Sequence, residues 1–123
     1  MIQLAKIIQS QPMPKLARIV LGKNGIGDSG VAALAAAISA AGDSLEIRDL
    51  DLDRNVFGDA GMTALAAACA SPGMKCLQKM SLAANGIGDA GLVSLAGAIS
   101  AGALREIEFI DLNGNQVTAI FGR

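Results

Sequence analysis

The strongest constraint on this chain is a nine-residue phrase that occurs four times at a nearly constant spacing. Each copy has apolar residues at its first, fourth and sixth positions and asparagine at its ninth, and the copies read LARIVLGKN, IRDLDLDRN, LQKMSLAAN and IEFIDLNGN. The asparagines lie 31, 30 and 30 residues apart, at Asn24, Asn55, Asn85 and Asn115. A fixed period of this size indicates similar structural units that stack on one another.

A loop and an alanine-rich run follow each of the first three phrases. The loops read GIGDSG from residue 25, VFGDAG from residue 56 and GIGDAG from residue 86. In each run two apolar residues lie four positions apart, on one face of a helix: Leu34 with Ile38, Leu65 with Cys69, and Leu95 with Ile99. The repeating unit is therefore predicted to be a strand, a turn and a helix. Its strands should be parallel, because each crossover passes through a helix.

Polar residues at two repeat positions are expected to satisfy backbone groups. A carboxylate at a helix start can accept hydrogen bonds from the first turn and interacts favourably with the helix dipole. We therefore expect Asp28, Asp59 and Asp89 to cap the helices that they begin. The four asparagines are expected to lie inside the stack and to hydrogen-bond to the backbone of neighbouring turns.

The predicted strands have two different faces. Apolar residues alternate along each strand, as Leu50 and Leu52 do, and this face is expected to pack against the helices. The opposite face is too polar to be buried, so we expect it to be open to solvent. The candidate partner-binding residues belong to this open face: Arg18, Asp49, Asp51, Asp53, Lys79, Phe109, Asp111 and Asn113.

These features resemble a known family. The pattern L-x-x-L-x-L-x-x-N-x-L, followed by G-D-x-G and an alanine- and leucine-rich helix, is similar to the ribonuclease inhibitor-like class of leucine-rich repeats, as in NOD-like receptor C-terminal regions. The resemblance implies an α/β solenoid with a curved parallel sheet on its concave side, helices on its convex side, and a protein-binding role. It covers a single domain, 1–123, with full repeats at 16–46, 47–76 and 77–106 and partial repeats at 1–15 and 107–123.

The equivalent strand positions predict three rows across the open face. The rows are Arg18, Asp49, Lys79 and Phe109; Val20, Asp51, Ser81 and Asp111; and Gly22, Asp53, Ala83 and Asn113. Asp49 is expected to be largely neutralised by its basic neighbours, and Asp53 to lack a partner. Phe109 is an aromatic side chain of the kind that tends to dominate interface energies. The alternative is a charged, solvated surface that only prevents aggregation, with Phe109 covered by a following repeat.

Composition narrows the possible functions. The net charge is −1 and no basic stripe exists, so we expect a protein partner with a basic surface rather than nucleic acid. The chain has no His or Tyr, and the usual acid–base and nucleophile pairs are missing. We therefore predict that it is not an enzyme and uses no cofactor or metal. The apolar stretches fall short of a membrane span. Cys69 and Cys76 suggest small core residues in a reducing, cytoplasmic compartment.

A glycine pattern offers an alternative function. Gly25, Gly27 and Gly30 form G-x-G-x-x-G between a predicted strand and a predicted helix, the context of a dinucleotide-binding fingerprint. Asp28 lies inside this loop, however, where a pyrophosphate would meet a negative charge. We therefore interpret the glycines as turn residues. A nucleotide-binding or catalytic protein is kept as the alternative hypothesis.

Self-association is a further alternative. Leu4 and Ile8 match only the helical half of a repeat, and Val117, Ile120 and Phe121 match only the strand-and-turn half. Such residues belong to faces that a neighbouring repeat covers, and no polar capping repeat is visible. We expect either a segment of a longer solenoid or a twofold homodimer through the uncapped termini, with Phe121 in or beside the contact.

Overall fold

The computed structural model describes residues 16–116, which form a parallel sheet and a layer of helices. Strands and helices alternate in the order β1 (Leu16–Val20), α1 (Asp28–Ala41), β2 (Leu45–Asp51), α2 (Asp59–Ala68), β3 (Lys79–Ser81), α3 (Asp89–Ser100) and β4 (Phe109–Asp111). Short 3-10 helices at Gly42–Ser44 and Pro72–Met74 precede β2 and β3. The strands pair in sequence order, so the predicted α/β solenoid of stacked repeats is confirmed.

The hydrophobic core lies between the sheet and the helices. Leu50 and Met80 of the strands and Leu34 and Leu65 of the helices are fully buried and belong to one cluster. Phe57, in the loop before α2, is also fully buried in this cluster. The inward face predicted from the alternation of apolar residues is therefore confirmed.

The residue before each repeated asparagine has a left-handed backbone. The φ angle is 60° at Lys23, 57° at Arg54, 55° at Ala84 and 74° at Gly114. Residues other than glycine rarely adopt this conformation. Its recurrence at one repeat position, with four different residue types, shows that the surrounding hydrogen bonds impose the turn.

Asn55 connects two repeats through both ends of its side-chain amide. Its Oδ1 accepts hydrogen bonds from the backbone N–H groups of Asn24 and Ile26, each at 3.0 Å. Its Nδ2 donates to the carbonyl of Leu21 at 3.1 Å and to that of Leu52 at 2.9 Å. A longer bond from Nδ2 reaches the Asp53 carbonyl at 3.3 Å. The side chain therefore bonds five backbone groups, two of them amides of the preceding repeat.

The same arrangement recurs along what we call the asparagine ladder, Asn24, Asn55, Asn85 and Asn115. Asn85 Oδ1 accepts from the Asn55 amide at 3.0 Å, and Asn115 Oδ1 accepts from the Asn85 amide at 3.2 Å. The predicted hydrogen bonding to neighbouring backbone is confirmed. The expected burial is confirmed only for Asn55, since Asn85 and Asn115 are half-buried and Asn24 is exposed.

The carboxylate at the start of a helix accepts hydrogen bonds from backbone amides of the next repeat. Asp28 Oδ1 accepts hydrogen bonds from the amides of Gly58 and Gly61, each at 2.8 Å. Gly58 precedes α2, and Gly61 lies in its first turn. The expectation that Asp28 caps its own helix is wrong, because α1 is preceded by Gly27 and has no side-chain cap. Asp28 instead caps α2.

Asp59 shows the same behaviour towards α3. Its Oδ1 accepts hydrogen bonds from the amides of Gly88 at 2.7 Å and Gly91 at 2.9 Å. A Cβ atom added at Gly91 would lie 2.8 Å from this oxygen and 2.9 Å from Ile87 Cγ2. The glycine is therefore needed for the close approach of the carboxylate rather than for a turn. Among the loop glycines, Gly25 has the left-handed φ, 65°, that the turn interpretation requires.

The helix face shared by the repeats is not equally covered. Ile38 and Cys69 are 0% and 2% exposed, as the spacing predicts, but Ile99 is 40% exposed at the same place in α3. No helix follows α3 within residues 16–116. The expected terminal contacts of Leu4, Ile8, Val117, Ile120 and Phe121 lie outside the described residues. In the described part of the chain no helix is both long and apolar enough to cross a membrane.

Candidate functional site

The open strand face is the side of the sheet that does not pack against the helices. Parallel pairing places its residues in two rows: Arg18, Asp49, Lys79 and Phe109, then Val20, Asp51, Ser81 and Asp111. This is the register expected from the sequence. None of these eight residues is buried. Asp53 and Asn113 follow β2 and β4 and extend the face beyond the second row.

The first row combines a weak ion pair with an exposed aromatic ring. Arg18 Nε lies 3.3 Å from Asp49 Oδ2, and the two side chains are 69% and 24% exposed. An exposed pair of this kind contributes about 0–1 kcal/mol, so neither group is strongly fixed. Lys79 is exposed and forms no ion pair among the described residues. Phe109 ends the row with 49% of its surface exposed.

The second row leads to an acidic centre formed by Asp51, Asp53 and Asp111. Asp51 Oδ1 accepts a hydrogen bond from the Asp53 amide, and Asp111 Oδ1 accepts one from the Asn113 amide, each at 3.0 Å. Asp53 Oδ1 accepts from the Ala83 amide of the next repeat at 2.8 Å. As expected, Asp53 has no cationic partner within residues 16–116, but the hydrogen bond from the Ala83 amide was not predicted. The three carboxylates are held by backbone amides.

The carboxylates of the acidic centre influence one another. Burial raises the pKa of the Asp53 carboxyl above its ordinary value, and the charges of Asp51 and Asp111 raise this pKa further. The hydrogen bond from the Ala83 amide acts in the opposite direction. Within residues 16–116, no Lys or Arg forms an ion pair with any of the three. The centre thus concentrates negative charge that a cationic side chain would relieve.

Val20 is 53% exposed in the second row, opposite Asp51, although it is not among the partner-binding residues predicted from the sequence. Its place in the outward alternation of β1 was the available signal. Among the described residues, no group of three or more His, Cys, Asp or Glu side chains is arranged to hold a metal ion.

The loops before the helices are less suited to a phosphate than their glycine pattern suggests. The Asp28 carboxylate already occupies the Gly58 and Gly61 amides at the start of α2. The Asp59 carboxylate likewise occupies the amides at the start of α3. A pyrophosphate at either helix start would have to displace a carboxylate of like charge. In the first loop the same negative group, Asp28, lies between the second and third glycines of the pattern.

The two cysteines are free thiols with different surroundings. Cys69 is 2% exposed, and burial raises its thiol pKa to about 12. It therefore stays protonated near neutral pH and is a poor nucleophile. The expected core position is confirmed for Cys69, whereas Cys76 is only half-buried. Neither thiol lies on the open strand face.

Comparison with known families agrees with this geometry. The family model described as Leucine Rich repeat matches residues 13–35, 47–66 and 73–96, one segment in each of three repeats. No curated protein matches the sequence. The matched segments cover more than half of the chain and contain β1, β3 and most of β2. The chain belongs to the leucine-rich repeat family.

Proposed function

We propose that this chain is a scaffold that binds a protein partner with a basic surface through the open strand face. Leucine-rich repeat domains generally mediate protein–protein interactions and are typically not enzymes. The observation that carries the proposal is the acidic centre, in which Asp51, Asp53 and Asp111 have no cationic partner within residues 16–116. A basic side chain of a partner would supply the missing charge.

The surroundings of the acidic centre suggest how a partner would be held. Phe109 and Val20 are the exposed large apolar side chains on this face, and they lie on opposite edge strands. An aromatic side chain at such a position gives a partner apolar contact area. Arg18 and Lys79 lie in the neighbouring row and would disfavour basic groups there. The proposed partner therefore places its basic residues over the second row and an apolar residue against Phe109.

This proposal predicts a salt-sensitive interaction. For a partner captured from cell extract and purified, we expect Asp51→Asn with Asp111→Asn to lower the association rate and to weaken its dependence on salt. Asparagine keeps an oxygen that can accept the Asp53 and Asn113 amides. Kinetic binding measurements at two salt concentrations give both quantities.

The matched control removes the same net charge elsewhere. Asp43 and Glu106 are exposed and lie outside the open strand face. Asp43→Asn with Glu106→Gln should leave both association rate and salt dependence nearly unchanged. Equal effects of the two double variants would mean that net charge alone matters, which contradicts the proposed site. Asp53 should be left unchanged in the first test. Its pKa is raised in the folded protein, so its ionised form destabilises the fold, and stability falls as pH rises through that pKa. A substitution at Asp53 would therefore change stability as well as charge.

A second candidate is self-association, favoured by the exposure of one helix face. Ile99 is 40% exposed, whereas Ile38 and Cys69 are buried at the same place in α1 and just after α2. A second copy placed against this face and β4 would bury the same kind of surface that joins the repeats. A twofold arrangement uses the same face on both copies, so assembly would stop at the dimer. We therefore propose a homodimer that includes Ile99.

Sedimentation can separate this dimer from a monomer. We expect a dimer at micromolar concentrations and its loss in Ile99→Glu. Val93→Glu is the matched control, because Val93 is 55% exposed in the same helix and the equivalent Ala32 and Thr63 are also exposed. A wild-type monomer at high concentration would rule out the dimer, and equal dissociation by both substitutions would rule out the specific face.

Three further proposals concern the repeat subclass, the cellular location and nucleotide binding. We assign the chain to the ribonuclease inhibitor-like class, supported by helices of 14, 10 and 12 residues between successive strands. The two free cysteines support a reducing, cytoplasmic location. Nucleotide binding through Gly25, Gly27 and Gly30 is the weaker alternative, since carboxylates occupy the equivalent amides of the next two repeats.

A further inference from the structure

Three asparagines in the chain are followed directly by glycine: Asn24, Asn85 and Asn113. In such a pair the backbone nitrogen of glycine can attack the asparagine Cγ atom, because glycine has no side chain to hinder the approach. We propose that Asn113 is a site of spontaneous deamidation, that Asn24 reacts more slowly, and that the folded repeat protects Asn85.

The reaction needs only water and base. The Gly114 nitrogen loses its proton and bonds to Asn113 Cγ, the bond from Cγ to the amide nitrogen breaks, and ammonia leaves with that proton. The five-membered succinimide is then opened by water at either of its two carbonyls. One opening yields aspartate, and the other yields isoaspartate, in which the main chain runs through the side-chain carbon. Access to the glycine amide and freedom of the asparagine side chain therefore control the rate.

Asn113 meets both requirements. It is exposed, and its side chain makes no hydrogen bond among the described residues. At the equivalent place in other repeats, the Arg54 and Ala84 amides each donate at 2.8 Å to a carbonyl of the following repeat. The Gly114 amide has no such acceptor within residues 16–116. Gly114 is also exposed, so within the described residues nothing shields its nitrogen from attack.

Asn24 meets only one requirement in full. Gly25 is exposed, and its amide has no acceptor among the described residues, whereas the equivalent Val56 amide donates to the Ile26 carbonyl at 2.9 Å. The Asn24 side chain, however, donates from Nδ2 to the carbonyl of Leu21 at 2.8 Å. This bond must break before ammonia leaves, so Asn24 is expected to react more slowly than Asn113.

Asn85 is restrained at both reacting groups. The Gly86 amide donates to the Phe57 carbonyl at 2.8 Å, so its nitrogen is not free. Asn85 Nδ2 donates to the carbonyls of Leu52 at 3.0 Å and Leu82 at 3.1 Å. The residue is also half-buried. Reaction at this pair requires the repeats to separate locally.

Deamidation of Asn113 would alter the open strand face. A carboxylate at position 113 adds negative charge next to Asp111, whose Oδ1 accepts the residue 113 amide. Isoaspartate would lengthen the main chain where the residue 113 carbonyl accepts the Ala84 amide at 2.8 Å. The consequence for partner binding rests on the proposed function, whereas the reaction itself does not.

Peptide mapping by mass spectrometry tests the order of reaction. The folded protein is incubated at mildly alkaline pH, and each pair is followed by its mass gain of about 1 Da. We expect loss of Asn113 to be fastest, then Asn24, with Asn85 at least roughly tenfold slower than Asn113 because it reacts only after local opening. In guanidinium chloride the three rates should converge. Asn113→Gln should abolish that product and leave the Asn24 rate unchanged.

Each departure from this order contradicts the inference. An Asn85 rate equal to that of Asn113 in the folded protein would show that the hydrogen bonds give no protection. A rate order that persists in denaturant would show that local sequence, rather than the fold, sets the reactivity. Faster loss of Asn24 than of Asn113 would remove Asn113 as the principal site.

Discussion

Asn55→Ala is expected to lower the free energy of unfolding by about 3 kcal/mol, because two amides and three carbonyls lose their buried partner. The residue is 5% exposed, so water cannot readily replace the amide. The bonds also join two repeats, and their loss should reduce the cooperativity of unfolding. Chemical denaturation followed by circular dichroism measures both the midpoint and the slope.

Asn24→Ala is the matched control for this prediction. Asn24 is exposed, and its side chain donates to the carbonyls of Leu21 and Gly22 within its own turn. We expect a loss of less than about 1 kcal/mol, since water can reach the groups that lose their partner. Coincident denaturation curves for wild type and Asn55→Ala would show that the ladder contributes little to stability.

The second large effect is expected from the cap that links Asp59 to α3. Asp59→Ala removes the acceptor of the Gly88 and Gly91 amides and should cost about 1–2 kcal/mol, as losses of helix caps do. Gly91→Ala should cost a similar amount or more, because its added Cβ would lie 2.8 Å from the Asp59 carboxylate. Asp59→Asn keeps an acceptor oxygen and should lose less.

A double-mutant cycle distinguishes the cross-repeat cap from two unrelated defects. Asp59→Ala vacates part of the space that the methyl group added by Gly91→Ala needs, so the double variant should be more stable than the sum of the single effects predicts. Additive losses would show that Asp59 and Gly91 do not interact. Amide hydrogen exchange provides the spatial readout, since Asp59→Ala should lower protection at the start of α3 more than at the start of α2.

The sequence predicts most of the fold because each repeat carries the pattern of the same strand, turn and helix. Leu50 and Leu52 alternate with polar residues, and Leu65 and Cys69 have helical spacing, so local period alone identifies both elements. The parallel register follows from the equal repeat length. It places Asp49 beside Lys79 and Asp51 beside Ser81, as the structure does.

The direction of the helix caps could not be predicted in the same way. An aspartate in the first turn looks suited to its own helix, yet neighbouring strands lie only about 4.8 Å apart, so the next repeat is as close as the local chain. Asp28 and Asp59 use that neighbour. The hydrogen bond from the Ala83 amide to Asp53 was not predicted for the same reason, since Ala83 belongs to the following repeat.

The electrostatics of the candidate site also depend on the folded structure. The sequence identifies Asp51, Asp53 and Asp111 as residues of one face, but not the partial burial that raises the pKa of Asp53. Nor does it indicate that Ile99 is exposed where Ile38 is buried, because the two residues occupy the same place in the pattern. Such differences arise from which repeat lies on each side.

Because the same two kinds of bond join each pair of repeats, whole repeats can be removed or added without losing the pattern of bonds. Asn55 accepts hydrogen bonds from amides of the repeat before it, whereas Asp28 accepts them from amides of the repeat after it. Each junction between repeats therefore uses the same two kinds of bond. Excising residues 56–85 would join Asn55 directly to Gly86 and leave Asp28 facing the glycines that begin α3. An excision one residue longer or shorter would move either the asparagine side chain or the glycine amides out of register with their hydrogen-bond partners. Recombination within such a gene could therefore lengthen or shorten the stack only in whole repeats.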